Sequence, residues 1–232
     1  MLVQKINIFS KKNLINLLIA FIPISYMLGN LAINLNNVLL TIAVFSFYRS
    51  EVIKIEYNII DKVIFIFFTY ILVNGIFNNF FNYNFPESPE QNLIIKKSFL
   101  YLKYLFLYLS MRFLVSKELI NFKNLFLYFG ICALFVSVDV IIQYFIGVDL
   151  FGFEADGRRM GGPFGDELIA GSFLQRFFIF IIFFFLLFHK FKSKISFNIF
   201  ISFILLLVSF GIFFAGNRIP QILFIIMISF LF

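Results

Sequence analysis

The sequence predicts an all-α integral membrane protein, a polytopic bundle of about eight membrane helices with the last incomplete. Three observations predict it. Of 232 residues, 62% are hydrophobic and only 13% charged, and the mean hydropathy is +0.99; soluble domains average roughly half apolar and roughly a quarter charged. Apolar runs of about 18 or more residues recur, each long enough to cross a hydrocarbon core of about 30 Å. Basic residues alternate between dense and sparse at successive connecting segments, as retention of lysine and arginine on the cytoplasmic side produces.

The elements follow in order. The first helix is expected over about 13–29, kinked or broken near Pro23, whose missing N–H interrupts the ladder. Lys5, Lys11 and Lys12 precede it, but no small-x-small cleavage pattern follows, so it reads as a helix and not as a signal peptide. Gly29 and Asn30 give a short turn into a second helix at about 31–48. A polar stretch from Arg49 to Lys62 leads to a third at about 62–79. Residues 78–92, rich in Asn, Pro and Glu, form a loop. Helices follow at about 93–115 and 124–147, then a central loop at about 148–167. Further helices are expected at about 168–188 and 195–214, and a last one begins at Pro220, well placed in a first turn where its missing N–H had no partner anyway. The chain stops at Phe232, about thirteen residues into that helix, which is too short to span; the expectation is a C-terminally truncated member of a longer protein. Residues 1–232 read as a single transmembrane domain.

Charge fixes the sides. With a cytoplasmic N-terminus, the inner segments hold Lys5, Lys11, Lys12, Arg49, Lys54, Lys62, Arg112, Lys117, Lys123, Lys190, Lys192 and Lys194. The loop at 78–92 carries Glu87 and Glu90 and no basic residue. The seven remaining cations are Lys96, Lys97, Lys103, Arg158, Arg159, Arg176 and Arg218. All fall on the outer side or in the outer half of the bilayer, where topology does not ask for them. They either pair with Glu87, Glu90, Asp149, Glu154, Asp156, Asp166 and Glu167, or form an anion site. The net charge of +7 therefore reflects membrane topology and such a site, not nucleic-acid binding.

The working site is expected in GRRMGGPFGDELIAGSFLQRF, residues 157–177. Adjacent arginines, clustered glycines and an acidic pair there run directly into an apolar helix. Arginine forks match phosphate oxygens, and glycine-rich backbone presents N–H groups to the same anion. Three charges lie within the membrane: Asp139, with Gln143 one turn on along the same face, Arg176 and Lys103. Asp139 and Arg176 lie about 12 Å, and Lys103 about 15 Å, below the outer ends of their helices. Such groups face the interior and find partners, as buried ion pairs or as the lining of a polar cavity. Asp139 is expected to pair with Arg176, with Lys103 as competitor. His189, the one histidine, sits among cytoplasmic lysines. No His/Cys cluster has metal-ligand spacing, so no metal or cofactor is expected. Cys132 is the only cysteine, which leaves no intrachain disulfide. Gly161, Gly162 and Gly165 fit no nucleotide fingerprint.

Residues 138–174 resemble the central region of the O-antigen ligase and O-antigen polymerase superfamily. The matching features are an aspartate followed by Gln143-Tyr144, Gly147-x-Asp149-x-x-Gly152, an arginine, and Gly-x-Phe-Gly before the next helix. FFAGNRIPQ, residues 213–221, resembles that family's arginine at the outer start of a later helix; the family usually has Ser or Thr where this chain has Asn217. The resemblance covers roughly residues 90–232. It implies a glycosyltransferase-C-like membrane bundle in the bacterial inner membrane. The implied donor is a glycan on undecaprenyl pyrophosphate, and the acceptor is lipid A-core or a growing glycan. The implied reaction is a metal-independent displacement in which guanidinium groups stabilise leaving-group charge. Arg159 and Arg218 match the family arginines best, with Arg158 the alternative to its neighbour and Arg176 a further pyrophosphate contact. The family's catalytic histidine lies beyond Phe232, leaving Asp166 and Glu167 as the local candidates for a base.

Three competing classes remain. A flippase or transporter of a lipid-linked glycan would also use basic groups in a cavity, but should show paired repeats and broken helices, which this sequence lacks. A lipid-linked glycosyltransferase with an acidic first outer loop is disfavoured, because that loop is Gly29-Asn30. A scaffold would not need the seven outer cations.

Overall fold

The computed structural model describes residues 10–81, 91–155, 157, 159–189 and 193–230. Among them the regular secondary structure is helical, with an isolated bridge between Val148 and Glu154 in a connecting loop. The helices are α1 (Lys11–Ala20), α2 (Ile22–Met27), α3 (Asn30–Tyr48), α4 (Ile59–Phe81), α5 (Gln91–Ser116), α6 (Phe122–Ile146), α7 (Ala170–Phe188), α8 (Lys194–Phe214) and α9 (Arg218–Ser229). Six, α3 to α8, are long and apolar enough to cross a membrane. The protein is therefore a multi-pass helical membrane protein. The first expected helix is two short ones: the break falls at Phe21, and Pro23 lies in the first turn of α2, where a missing N–H costs nothing. At the other end, α9 extends over 12 residues. The expected loop at 78–92 lies largely outside the described residues.

Packing divides the chain into two compact units: Met1–Ile15 with Asn37–Ile120, and Asn16–Asn36 with Asn121–Phe232. In the first, α4 and α5 form the main helix pair. A reciprocal capping box starts α4: the Asn58 N–H donates to Asp61 Oδ2 at 2.7 Å and the Asp61 N–H to Asn58 Oδ1 at 3.0 Å, which satisfies two otherwise orphaned donors. The other oxygen of the same carboxylate accepts from the Tyr108 hydroxyl and from Arg112 Nε, the latter at 3.3 Å, both from α5. Asp61 is fully buried, so the partners replace the water it has lost. Further along, a Cβ on Gly75 would overlap Ser98 Oγ; the glycine lets the two backbones approach closely.

In the second unit α6 packs on α7 and α8. Small residues again mark the seams. A Cβ on Gly130 would come within 2.7 Å of Ile181 Cα, and one on Gly211 within 3.1 Å of Ser137 Cα. In lipid there is little hydrophobic drive between helices, so close packing of such residues does the work. Aromatic rings fill the rest: Phe173 stacks on Phe177, and Tyr144 of α6 stacks on Phe214 of α8 with centroids 3.9 Å apart. Asn121 caps α6 through Asn124 N–H, and Ser193 caps α8 through Ser196 N–H.

Candidate functional site: the loop between α6 and α7

The loop begins where α6 ends in a left-handed Gly147, φ 88°, a conformation that costs glycine no Cβ clash. Asp149 then organises a tight turn. Its Oδ1 accepts the N–H groups of Phe151 at 2.9 Å and Phe153 at 2.6 Å, while its own N–H donates to Phe153 O at 3.0 Å. Aspartate suits this role because its short carboxylate reaches backbone donors just ahead of it. The Ala155 N–H closes the turn on Gly147 O at 2.9 Å.

Two buried side chains of α6 hold this loop onto the bundle. Asp139 Oδ1 accepts the Leu150 N–H at 2.8 Å. Gln143 uses both ends of its amide: Nε2 donates to Phe153 O at 3.2 Å, and Oε1 accepts the Gly162 N–H at 2.8 Å. The loop's two limbs are thereby joined through one side chain that is 1% exposed. Gly162 has φ +56°, and a Cβ there would sit 2.8 Å from Val140 Cγ2. Pro163 and Phe164 follow in a short buried 3-10 turn. At the exit, Asn217 Nδ2 donates to Leu168 O at 2.8 Å. Gly171 packs against Asn217 and Ala215, its ideal Cβ lying 3.3 Å from the Cβ of each.

The expected site residues divide by this geometry. Asp139 and Gln143 are buried and bind loop backbone. Arg159 is exposed on the loop, and Arg218 is exposed as the first residue of α9, next to the Asn217 that ties down the loop exit. Asp166 and Glu167 are both exposed, and Asn30 Nδ2 donates to Glu167 Oε1 at 3.4 Å. Arg158 and Asp156 lie outside the described residues. Lys103, in the other unit, is half-buried on α5 with its ammonium 4.9 Å from the Tyr104 ring centroid.

One expectation fails. Asp139 does not pair with Arg176, although both lie about eight residues from the loop. Arg176 points to the exposed side of α7, while Asp139 gives one oxygen to Leu150 and its Oδ2 is buried with no hydrogen-bond partner among the described residues. Equal depth on neighbouring antiparallel helices does not set the rotation of either helix about its axis. The aspartate is used by the local turn that follows it. Asp149 Oδ2 is likewise buried without a partner among the described residues.

Asp149 and Asn217 were not singled out as organisers from sequence. Each carried a signal: an aspartate three residues before a glycine, and an asparagine just before a helix start. Asn217 departs from capping in that its side chain makes no cap hydrogen bond; it reaches back to Leu168 instead. Compared with protein-family models, with curated proteins and with solved structures, the chain shows no match.

Proposed function

We propose that the protein transfers glycan from undecaprenyl pyrophosphate to an acceptor, lipid A-core or a growing glycan, at the outer face of the bacterial inner membrane. In this reading it is a metal-independent glycosyltransferase with a glycosyltransferase-C-like bundle and a cytoplasmic N-terminus. The observation that carries the reading is the way the arginine-bearing loop is fixed. Asp139, Gln143 and Asn217 hold its entry, middle and exit, leaving Arg159 and Arg218 exposed. A fixed loop presents its guanidinium group without reorganisation, which is what stabilising developing charge on a departing pyrophosphate requires. Arg218 also stands at the N-terminus of α9, where the helix dipole favours an anion.

Binding of farnesyl pyrophosphate and farnesyl monophosphate to the purified full chain tests this reading. The diphosphate should bind at least about tenfold more tightly, and Arg159→Lys and Arg218→Lys should each remove most of that preference, since lysine keeps charge but loses the bidentate fork. Equal affinity for the two lipids, or a preference that survives both substitutions, counts against it.

A further inference from the structure

The second unit contains a cavity of about 500 Å³ lined by neither Arg159 nor Arg218. Its walls are Tyr26 from the last turn of α2, Phe151 and Phe153 from the Asp149 turn, and Pro163 and Phe164 from the 3-10 turn, with Glu167 among the lining residues. That volume lies in the range of small-molecule sites, roughly 300–1,000 Å³. The walls are held in place. Phe153 lies over Gly165, whose ideal Cβ would be 3.3 Å from its ring. Phe164 packs on Phe173 with centroids 5.3 Å apart, and Tyr26 meets Phe177 edge-on at 5.8 Å. Glu167 Oε1 accepts from Asn30, while Oε2 accepts no hydrogen bond from any described residue.

Charge decides what fits. None of the residues lining the cavity is basic, so nothing there neutralises an anion, and a phosphate would meet a carboxylate. Aromatic faces carry negative potential, and a carboxylate beside them adds a full charge of the same sign. The combination suits a cation with apolar substituents, which stacks on rings and pairs with the acid. A metal ion or an ordinary hydrated salt ion would gain little from the rings. We propose that this cavity binds an organic ammonium group, either on a soluble amine or on an ethanolamine lipid headgroup, with Glu167 as counter-ion and Tyr26, Phe151 and Phe153 as the aromatic wall. The proposal stands independently of the transfer reaction.

The chain has no tryptophan, so Phe153→Trp places a single fluorescent reporter in the wall, and Phe151→Trp supplies a second should the first disturb folding. The full chain in phosphatidylglycerol nanodiscs is titrated with choline, with 3,3-dimethylbutanol, its neutral isostere, and with sodium chloride at matched ionic strength. A saturable choline signal is expected, at least about fivefold weaker for the neutral isostere and at least about fivefold weaker in Glu167→Gln. Repeating the titration with phosphatidylethanolamine in the disc separates the sources: competition identifies the headgroup, and an unchanged response identifies a soluble amine. The proposal is overturned if both reporters stay silent to choline. It is equally overturned if choline and its isostere act alike and Glu167→Gln changes nothing, because the cavity is then an apolar, lipid-facing surface.

Discussion

Gln143 and Gly162 are nineteen positions apart in sequence, and the Gly162 N–H donates to Gln143 Oε1 at 2.8 Å in a fully buried setting. Because the other end of the same amide donates to Phe153 O, one side chain sets the spacing between the two limbs of the loop. Replacing Gln143 by Leu strips the buried Gly162 N–H of its partner, at about 1–3 kcal/mol, and unties Phe153 O, which keeps only the Asp149 N–H. Gln143→Leu should therefore lower the thermal midpoint in detergent and make the 147–165 segment sensitive to protease. A variant as stable and as resistant as the parent would mean that the loop is held elsewhere.

Gly162→Ala meets two obstacles, a left-handed φ of +56° and Val140 Cγ2 at 2.8 Å from the new Cβ. The backbone term alone costs about 1–2 kcal/mol, and the contact adds to it. Val140 is fully buried and its truncation has a cost of its own, so the contact term is read from the cycle: Gly162→Ala should cost less in the Val140→Ala background than in the parent, with the backbone term remaining. Thermal midpoints of the four proteins read this out; an equal cost in both backgrounds would mean that φ alone sets it.

Asp139 and Arg176 should act independently, since Asp139 Oδ1 is committed to the Leu150 N–H and Arg176 is exposed. Asp139→Asn keeps an acceptor for Leu150, whereas Asp139→Leu does not, so the leucine variant should yield less folded protein. Combining either with Arg176→Gln should give additive losses to within about 0.5 kcal/mol. Partial rescue by Arg176→Gln would restore the ion pair expected from sequence.

Much of the fold was legible because bilayer thickness and charge retention act on long segments. The helices from α3 to α8 lie within a few residues of where apolar runs and polar breaks place them, and Pro23 marks the first break. Rotation about each helix axis was not legible. Asp139 and Arg176 share a depth, but nothing in their spacing tells that one faces the α6–loop seam and the other faces out. The same limit hid the Asp61 cluster. Asn58-x-x-Asp61 has the spacing of a capping box, yet only the packing of α4 on α5 brings Tyr108 and Arg112 to the same carboxylate.

That cluster makes its own prediction. Asp61 is fully buried and serves three donors, whereas the Arg112 side chain is 28% exposed and can return to solvent. Asp61→Ala should destabilise the α4–α5 pair more than Arg112→Ala does, since it removes a cap and strands two partners at once. Hydrogen exchange at the start of α4 should rise in the first variant and stay near the parent's in the second; the reverse order would make the guanidinium the organising group.

Orientation is testable with single cysteines in a Cys132→Ala background. Glu154 and Ser193 are both exposed, and the charge pattern puts the first outside and the second inside. An impermeant thiol reagent should label Glu154→Cys and not Ser193→Cys in intact cells. Labelling of Ser193→Cys alone would invert the topology and remove the outward-facing site.

Glycan transfer from undecaprenyl-pyrophosphate-linked donor by Arg159→Lys and Arg218→Lys variants bears most directly on the proposed activity. If the fixed loop offers bidentate guanidinium contacts to the leaving pyrophosphate, each lysine should lower the rate at least about tenfold, a loss of about 1.4 kcal/mol, with folded protein in the membrane unchanged. Transfer at near the parental rate by both single variants would contradict the account.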